Sequence, residues 1–303
     1  MTATVVVSCY NQEKYIAECL DSILSQVTSF PFNIVICDDH STDKTPDILK
    51  KYKSAHPTII EIVLRNQNVG AAYNYVDAHN RATGDIVFHM DGDDVMYPGK
   101  LQSQYDVFLT DHTVNLTFHR ACYFSDNGSL RLTTGPCPAV GNSDRKFSLQ
   151  DLALWGTIAV HSSYAYRRNS RTTRAVNREF MEWFWAIDSL KNGGTGIYIN
   201  KVLGGYRYNP NGSSYLSSNA GRKKAYLLYL QDVYIYFRQL NHLKTALYAN
   251  AFVSIFGMIL NGKHLSTKAL AFLLKNILCF RINLIIEAYK MRAAVRPSER
   301  SLA

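Results

Sequence analysis

The sequence predicts a doubly wound α/β domain with a mostly parallel sheet, followed by a basic helical C-terminal extension. Three observations carry this expectation. Apolar, β-branched runs alternate with helical patterns through the first hundred residues, as in parallel strands covered on both faces. Each run ends in polar residues, so that Ser8-Cys9-Tyr10-Asn11, Asp38-Asp39, Arg65-Asn66 and Asp91 to Asp94 fall at the strand tips, where ligands bind in such sheets. Charge is also divided: residues 221–303 hold 13 Lys and Arg against three acidic residues, a net of +10, whereas residues 1–220 sum to −1.

Taken in order, "TVVVSC" (4–9) reads as a buried strand. Asn11 is the expected cap of a helix whose face is Tyr15, Ile16, Cys19, Leu20, Ile23 and Leu24. "NIVIC" (33–37) is the second strand, and Thr45 and Pro46 stand as cap and first helical residue of the next helix. Strand 59–64, helix 71–82 and strand 85–90 complete the alternation. Beyond Pro98 the pattern mixes. A helix is expected at 99–110, a strand at 114–124 and a turn-rich stretch at 125–147. Then come a helix opened by a Ser148/Asp151 capping box, a strand at 163–167, a helix at 179–192 and a strand at 195–199. From about Ala220 the chain reads as all-helical.

At 303 residues the chain accommodates one large domain plus an appendage, or two small domains. Its 47% hydrophobic and 12% aromatic content exclude a disordered chain. Six scattered cysteines without a CxxC pair read as reduced thiols, and the N-terminus lacks a signal-peptide pattern, so the expected location is cytoplasmic. No nucleic-acid recognition motif accompanies the positive charge.

"FHMDGDD" (88–94) places three carboxylates in four positions. Solvent, Arg or Lys partners, or a hard divalent cation would make this tolerable. Mg²⁺ or Mn²⁺ suits oxygen ligands and completes its shell with phosphates and water. "VVVSCYNQEKYIAECLDSILSQ", "NIVICDDHSTDKTPDIL", "RNQNVGAAYNY" and "TGDIVFHMDGDD", in this order and spacing, resemble the family 2 glycosyltransferases, over residues 4–101 and more weakly to about 218. The resemblance implies a GT-A fold and inverting transfer of a sugar from a nucleotide diphosphate, UDP first and dTDP second. It divides the chain into a catalytic domain, 1–219, and a basic helical region, 220–303. Within the domain, 1–101 would bind the nucleotide sugar and 102–219 would face the acceptor.

Residue by residue, the resemblance implies that Ser8, Tyr10 and Asn11 line the nucleoside pocket. Asp39, supported by Asp38, would accept from a uracil-type ring N–H. Arg65, Asn68 and Gly70 would flank the nucleotide, the glycine permitting close backbone approach. Asp91 would contact ribose or a metal-bound water, and Asp93 or the adjacent Asp94 would hold Mn²⁺ or Mg²⁺. Glu182-Trp183 matches the position of the general base, with Asp188 and Glu179 as alternatives. Trp183, Phe184 and Trp185 would stack on sugars or pack in the core. Within "GGYRYNPNGSS" (204–214), Arg207 would face phosphate, while Asn209 stands where relatives often carry His. The processive Gln-x-x-Arg-Trp motif does not occur, which implies single additions. The expected acceptor is a saccharide or lipid-linked saccharide of a surface glycan.

Two other classes compete. A sugar nucleotidyltransferase needs a Gly-rich loop after the first strand, where this chain has "SCYNQEKY". A non-catalytic binding module would keep the fold without turnover. In the tail, 246–260 is too short to span a bilayer and Lys275 and Arg281 interrupt 269–286. This leaves either a helix lying on an anionic membrane or a bundle packed on the domain.

Overall fold

The computed structural model describes residues 1–138, 143–209, 218–260 and 266–298. The first half alternates as expected: β1 (Ala3–Cys9), α1 (Ile16–Leu24), β2 (Phe32–Asp38), α2 (Thr45–Ala55), β3 (Ile60–Leu64), α3 (Ala71–Arg81) and β4 (Ile86–Asp91). These strands lie parallel in the order β3-β2-β1-β4. The continuous apolar runs have a simple cause. Val5 and Val7 of β1 join Ile16, Cys19, Leu20 and Ile23 of α1 in one core, whereas Val6 turns to the opposite face with Tyr75, Val76 and Ala78 of α3. Both faces of the central strands β1 and β4 are buried, so both need apolar side chains, whereas the edge strand β3 exposes Glu61.

The second half is mixed. It contains β5 (Val95–Met96), α4 (Lys100–Thr110), β6 (Val114–Phe124), β7 (Arg131–Thr133), β8 (Arg145–Phe147), α5 (Leu149–Trp155), β9 (Ala165–Arg167), α6 (Glu182–Leu190) and β10 (Thr195–Arg207). β9 inserts antiparallel between β4 and β6. β10 runs parallel to β6 with bulges near Ile199 and Val202, and its end pairs antiparallel with β5. The stretch 125–147, expected to be turn-rich, also contributes the short strands β7 and β8, which pair with β6 and β10. Ser148 and Asp151 form the expected capping box, closing both ends of the exchange.

Several expected helix starts are corrected. α1 begins at Ile16 without a side-chain cap. Asn11 instead adopts φ +52°, which asparagine tolerates, and its side-chain oxygen accepts from Thr42 N at 2.8 Å. Thr45 is the first residue of α2 rather than its cap, and its hydroxyl accepts from Gln12 N at 2.8 Å. α6 begins at Glu182, not 179, so Glu179 lies outside the helix.

The C-terminal part forms α7 (Asn219–Gln239), α8 (Lys244–Leu260), α9 (Thr267–Lys275) and α10 (Ile282–Val295). The helical segment ending in α8 runs over Asn241–Leu260, longer than the apolar stretch suggested and long enough by composition to cross a membrane. More than half of it is buried: Leu247, Tyr248, Ala251 and Ile255 share one core with Trp155, Trp183 and Leu230. A polar network stitches this bundle to the body. Arg292 donates to Trp155 O (2.7 Å), Ser254 Oγ (2.9 Å) and Asn250 Oδ1 (2.6 Å), while Asn250 donates to Ala153 O (2.7 Å). Ser298 exchanges two backbone hydrogen bonds with Thr133 of β7. The six cysteines are unpaired.

Candidate functional site

The parallel strands bring their carboxyl ends to one edge, and backbone hydrogen bonds lock the tips together. Asp39 N donates to Cys9 O (3.0 Å), Arg65 N to Asp38 O (3.2 Å) and Gly92 N to Ser8 O (3.0 Å). Gly92 is required sterically, since a Cβ there would stand 2.2 Å from Gln12 Oε1 and 3.0 Å from Cys9 Cβ and Ile16 Cδ1. The turn of the acidic loop therefore rests directly on β1 and α1.

The nucleoside-side candidates are arranged as follows. Tyr10 is exposed at the tip of β1, and Ser8 Oγ is buried with no hydrogen-bond partner among the described residues. Asp38 is buried and accepts from Ser41 N (2.9 Å) and the Ser41 hydroxyl. Asp39 accepts from Val69 N (2.8 Å) and Gly70 N (3.0 Å), and Asn68 donates to Asp39 O (3.1 Å). Asp39 thus shapes the 68–70 turn, with lone pairs left for a further donor. Gly70 has φ +87° and nothing within 4 Å of a Cβ, so the backbone angle rather than crowding calls for glycine. Arg65 is tied to α3, donating to Asn74 Oδ1 (2.8 Å) and Asp77 Oδ2 (2.7 Å).

The acidic trio is partnered unequally. Asp91 Oδ1 lies 3.0 Å from His89 Nε2, and Oδ2 lies 3.7 Å from His161 Nδ1. Burial opposes its ionisation, yet His89 and His161 hold the Asp91 carboxyl well below the usual range. Asp94 is buried and accepts from Arg207 N at 2.9 Å, while its second oxygen has no partner among the described residues. Burial and then the Asp93 charge push its carboxyl up. Asp93 is half-buried, forms no ion pair among the described residues, and is pushed up to about 6 by burial and then by Asp91. Beneath them, Lys100 is fully buried and donates to Ser162 O; burial pushes its ammonium down to about 7, against the pull of Asp94. Three crowded oxygen donors, one orphaned and one without an ion pair, fit a hard divalent cation. His89, Asp91 and His161 also bring donor atoms within 4.8 Å of one another.

Arg207 reaches this loop from the end of β10. Its Nε donates to Asp93 O (2.8 Å), and its fork engages Glu18 and Asp126 between the rings of Tyr15 and Phe124. Asn209 donates to Tyr15 OH at 3.2 Å. Residues 210–214 of the expected closing segment lie outside the described residues.

Glu182, the first residue of α6, is half-buried, with Oε1 3.9 Å from His161 Nδ1. One imidazole therefore stands between the acidic loop and Glu182. Burial raises the Glu182 carboxyl, with His161 opposing. Asp188 is fully buried against Thr173 Oγ1 and Lys191 Nζ, each at 2.5 Å, and Glu179 is exposed and paired with Lys224 at 2.6 Å. Trp183, Phe184 and Trp185 are core residues.

Sequence reasoning missed the histidines. His89 links through His79 Nε2 (2.9 Å from its Nδ1) to the Tyr166 hydroxyl (2.7 Å from His79 Nδ1), a buried polar row behind Asp91. The available signal was His89 standing two residues before Asp91, on the same face of β4.

Fold and strand-end carboxylates define a GT-A-type α/β protein. The sequence matches the family model "Glycosyl transferase family 2" over residues 4–172, and the chain belongs to that family. An uncharacterized glycosyltransferase of Nostoc, alr2836, is 30% identical over 209 residues, 67% of this chain and 61% of its own length. The chain spans about 59% to 61% of the length of the first curated relatives it matches. TarS 1–349 of S. aureus in complex with UDP-GlcNAc aligns with a TM-score of 0.64 at 18% identity, covering 98% of this chain and 82% of TarS. The mannosyltransferase PcManGT of Pyrobaculum calidifontis, in complex with GDP-Man and Mn²⁺, aligns with a TM-score of 0.56 at 20% identity, covering 97% and 84%. These two likenesses concern the fold.

Proposed function

We propose that the protein transfers a sugar, with inversion, from a nucleoside diphosphate donor, a UDP-sugar by preference, to a saccharide or lipid-linked saccharide acceptor in surface glycan synthesis. The observation that carries this reading is the juxtaposition of Glu182 with the acidic loop across His161. It sets a carboxylate of the acceptor-side half beside the loop where a donor diphosphate would lie. The UDP-GlcNAc bound by TarS supports the choice of donor class, and family membership supports the reaction.

In this reading Tyr10 stacks on the base, while Ser8, Asn11, Asp39 and Asn68 line the nucleoside. Glu182 removes the proton of the acceptor hydroxyl as its oxygen bonds to the anomeric carbon. The bond from that carbon to the diphosphate oxygen breaks on the opposite face, and its electron pair leaves with the nucleoside diphosphate. A raised carboxyl suits Glu182 to this task, because a stronger base takes the proton more readily. Asp93, with Asp91 and Asp94 beside it, would hold Mn²⁺ or Mg²⁺, which supplies charge neutralisation to the departing diphosphate when bound. Arg207 adds a cation that an incoming phosphate would share with Glu18 and Asp126.

The test is transfer across UDP-, dTDP-, GDP- and CMP-sugars with Mn²⁺ or EDTA, in the parent and in Asp93→Asn. Activity with one nucleotide class that is lost with EDTA and with Asp93→Asn is the expected result. Turnover persisting in EDTA would remove the metal from the acidic loop. Nucleotide binding without transfer to any saccharide acceptor would favour a binding module.

A further inference from the structure

Isolated exposed apolar side chains are ordinary, but a concentration of them marks a surface built to meet something. Of the 17 large apolar side chains exposed among the described residues, 11 fall between Phe256 and Tyr289. Leu260, Leu274 and Leu278 are 84%, 72% and 89% exposed. Ile282, Ile286 and Tyr289 recur at helical spacing along α10, on a different stripe from the buried Ile285, Ala288 and Met291.

The elements that carry these residues are neighbours. α9, the turn at 277–280 and α10 all pack against α8. Phe280 meets Phe252 at 5.8 Å, and Phe252 stacks on the exposed Phe256 at 4.3 Å. The face is also held rigid from behind. Tyr248 donates to Leu273 O at 3.2 Å, and Phe272 packs on Tyr234 at 4.3 Å.

The charge on this region has one sign. Residues 244–298 hold eight Lys and Arg against Glu287 alone, and the Glu287 carboxylate accepts from Trp155 Nε1 at 3.3 Å. Lys268, Lys275, Arg281 and Lys290 are exposed and stand in sequence beside the exposed apolar residues, Lys275 after Leu274 and Arg281 between Phe280 and Ile282. Apolar side chains interleaved with basic heads match an interface of acyl chains beneath anionic phosphates. A second copy is the poorer occupant, because a two-fold contact would bring the same positive residues face to face.

We infer that the outer face of α8, α9, the 277–280 turn and α10 docks on the surface of an anionic lipid bilayer, inserting its leucines and isoleucines among the acyl chains without crossing it. This goes beyond the proposed transfer reaction and does not depend on it.

The test is flotation of the full chain with vesicles of phosphatidylcholine alone and of phosphatidylcholine mixed with phosphatidylglycerol. The variants are Leu274→Ser/Leu278→Ser and Lys268→Glu/Lys275→Glu, all at exposed positions, so folding is expected to survive and is checked by the melting temperature. Binding to the anionic vesicles is expected to weaken with added salt. The partition coefficient should fall about tenfold or more in each double variant. Binding to neither vesicle, or binding indifferent to both variants, would overturn the inference. So would a dimer in sedimentation that the same variants dissolve, since the face would then belong to a second copy.

Discussion

The two halves of the sheet are built differently, although both contribute to one site. Among β1 to β4 the pairings are parallel, and each of β1, β2 and β3 is followed by a helix that returns the chain so that the next strand ends at the same edge. Asp38, Asp39 and Asp91 reach that edge because strands end there. In the second half, β9 enters antiparallel between β4 and β6, and β10 advances along β6 through bulges before its Arg207 meets the acidic loop. His161 stands on a single 3₁₀ turn and Glu182 on the first residue of a helix. The first half sets positions by a repeating rule, and the second half sets them by individual tertiary contacts.

The strongest way to break this comparison is Glu182→Gln. If the second half supplies only the base, transfer falls about 10²- to 10⁴-fold while nucleotide affinity, measured by calorimetry, is unchanged. Parallel loss of both would show that the two halves share the donor. Next in size is Trp183→Ala, which empties a fully buried site whose indole donates to Leu152 O at 3.2 Å. Chemical denaturation should show a loss of about 3–5 kcal/mol. A sugar-stacking role would instead appear as a raised acceptor KM with stability intact. In the first half, Gly92→Ala forces Gln12 aside and presses on Cys9 and Ile16; we expect a cost of about 1–3 kcal/mol and, if the acidic loop holds the donor, weakened nucleotide binding.

The pH profile sharpens the contrast further. Burial raises the Glu182 carboxyl above its ordinary value of 4.5, and in its proposed role as base Glu182 would act only when deprotonated. Transfer should therefore fall as pH drops through that raised value. The acid limb should lie above the ordinary glutamate range and should be missing from the residual activity of Glu182→Gln. Smallest is Ser148→Ala, which removes the hydroxyl of the capping box at the start of α5 and should cost about 1 kcal/mol in thermal unfolding without touching transfer.

The same contrast explains what could be read from sequence. Alternating strands and helices, the strand-end carboxylates and the Ser148 box follow local patterns, and the structure places them within a residue or two of expectation. The short strands β7 and β8 exist because β6 and β10 offer them edges, a condition invisible in their own residues. Lys100, His89 and His161 were missed for a related reason. A buried ionisable side chain looks like any other polar residue until its partners, here Ser162 O, His79 and Asp91, are brought from elsewhere. Asn11 and Thr45 show the reverse error. Both carry side chains suited to capping, but the loops after β1 and β2 bind each other and take those oxygens first.

The Arg292 network has a consequence for how the molecule comes apart. One guanidinium satisfies groups on α5 and α8 at once, and Asn250 passes the connection on to Ala153. Releasing α10 would strand these polar groups in an apolar interior shared with Trp155. The tail cannot melt cheaply ahead of the sheet, so body and tail should unfold in one cooperative transition, with calorimetric and van't Hoff enthalpies in agreement.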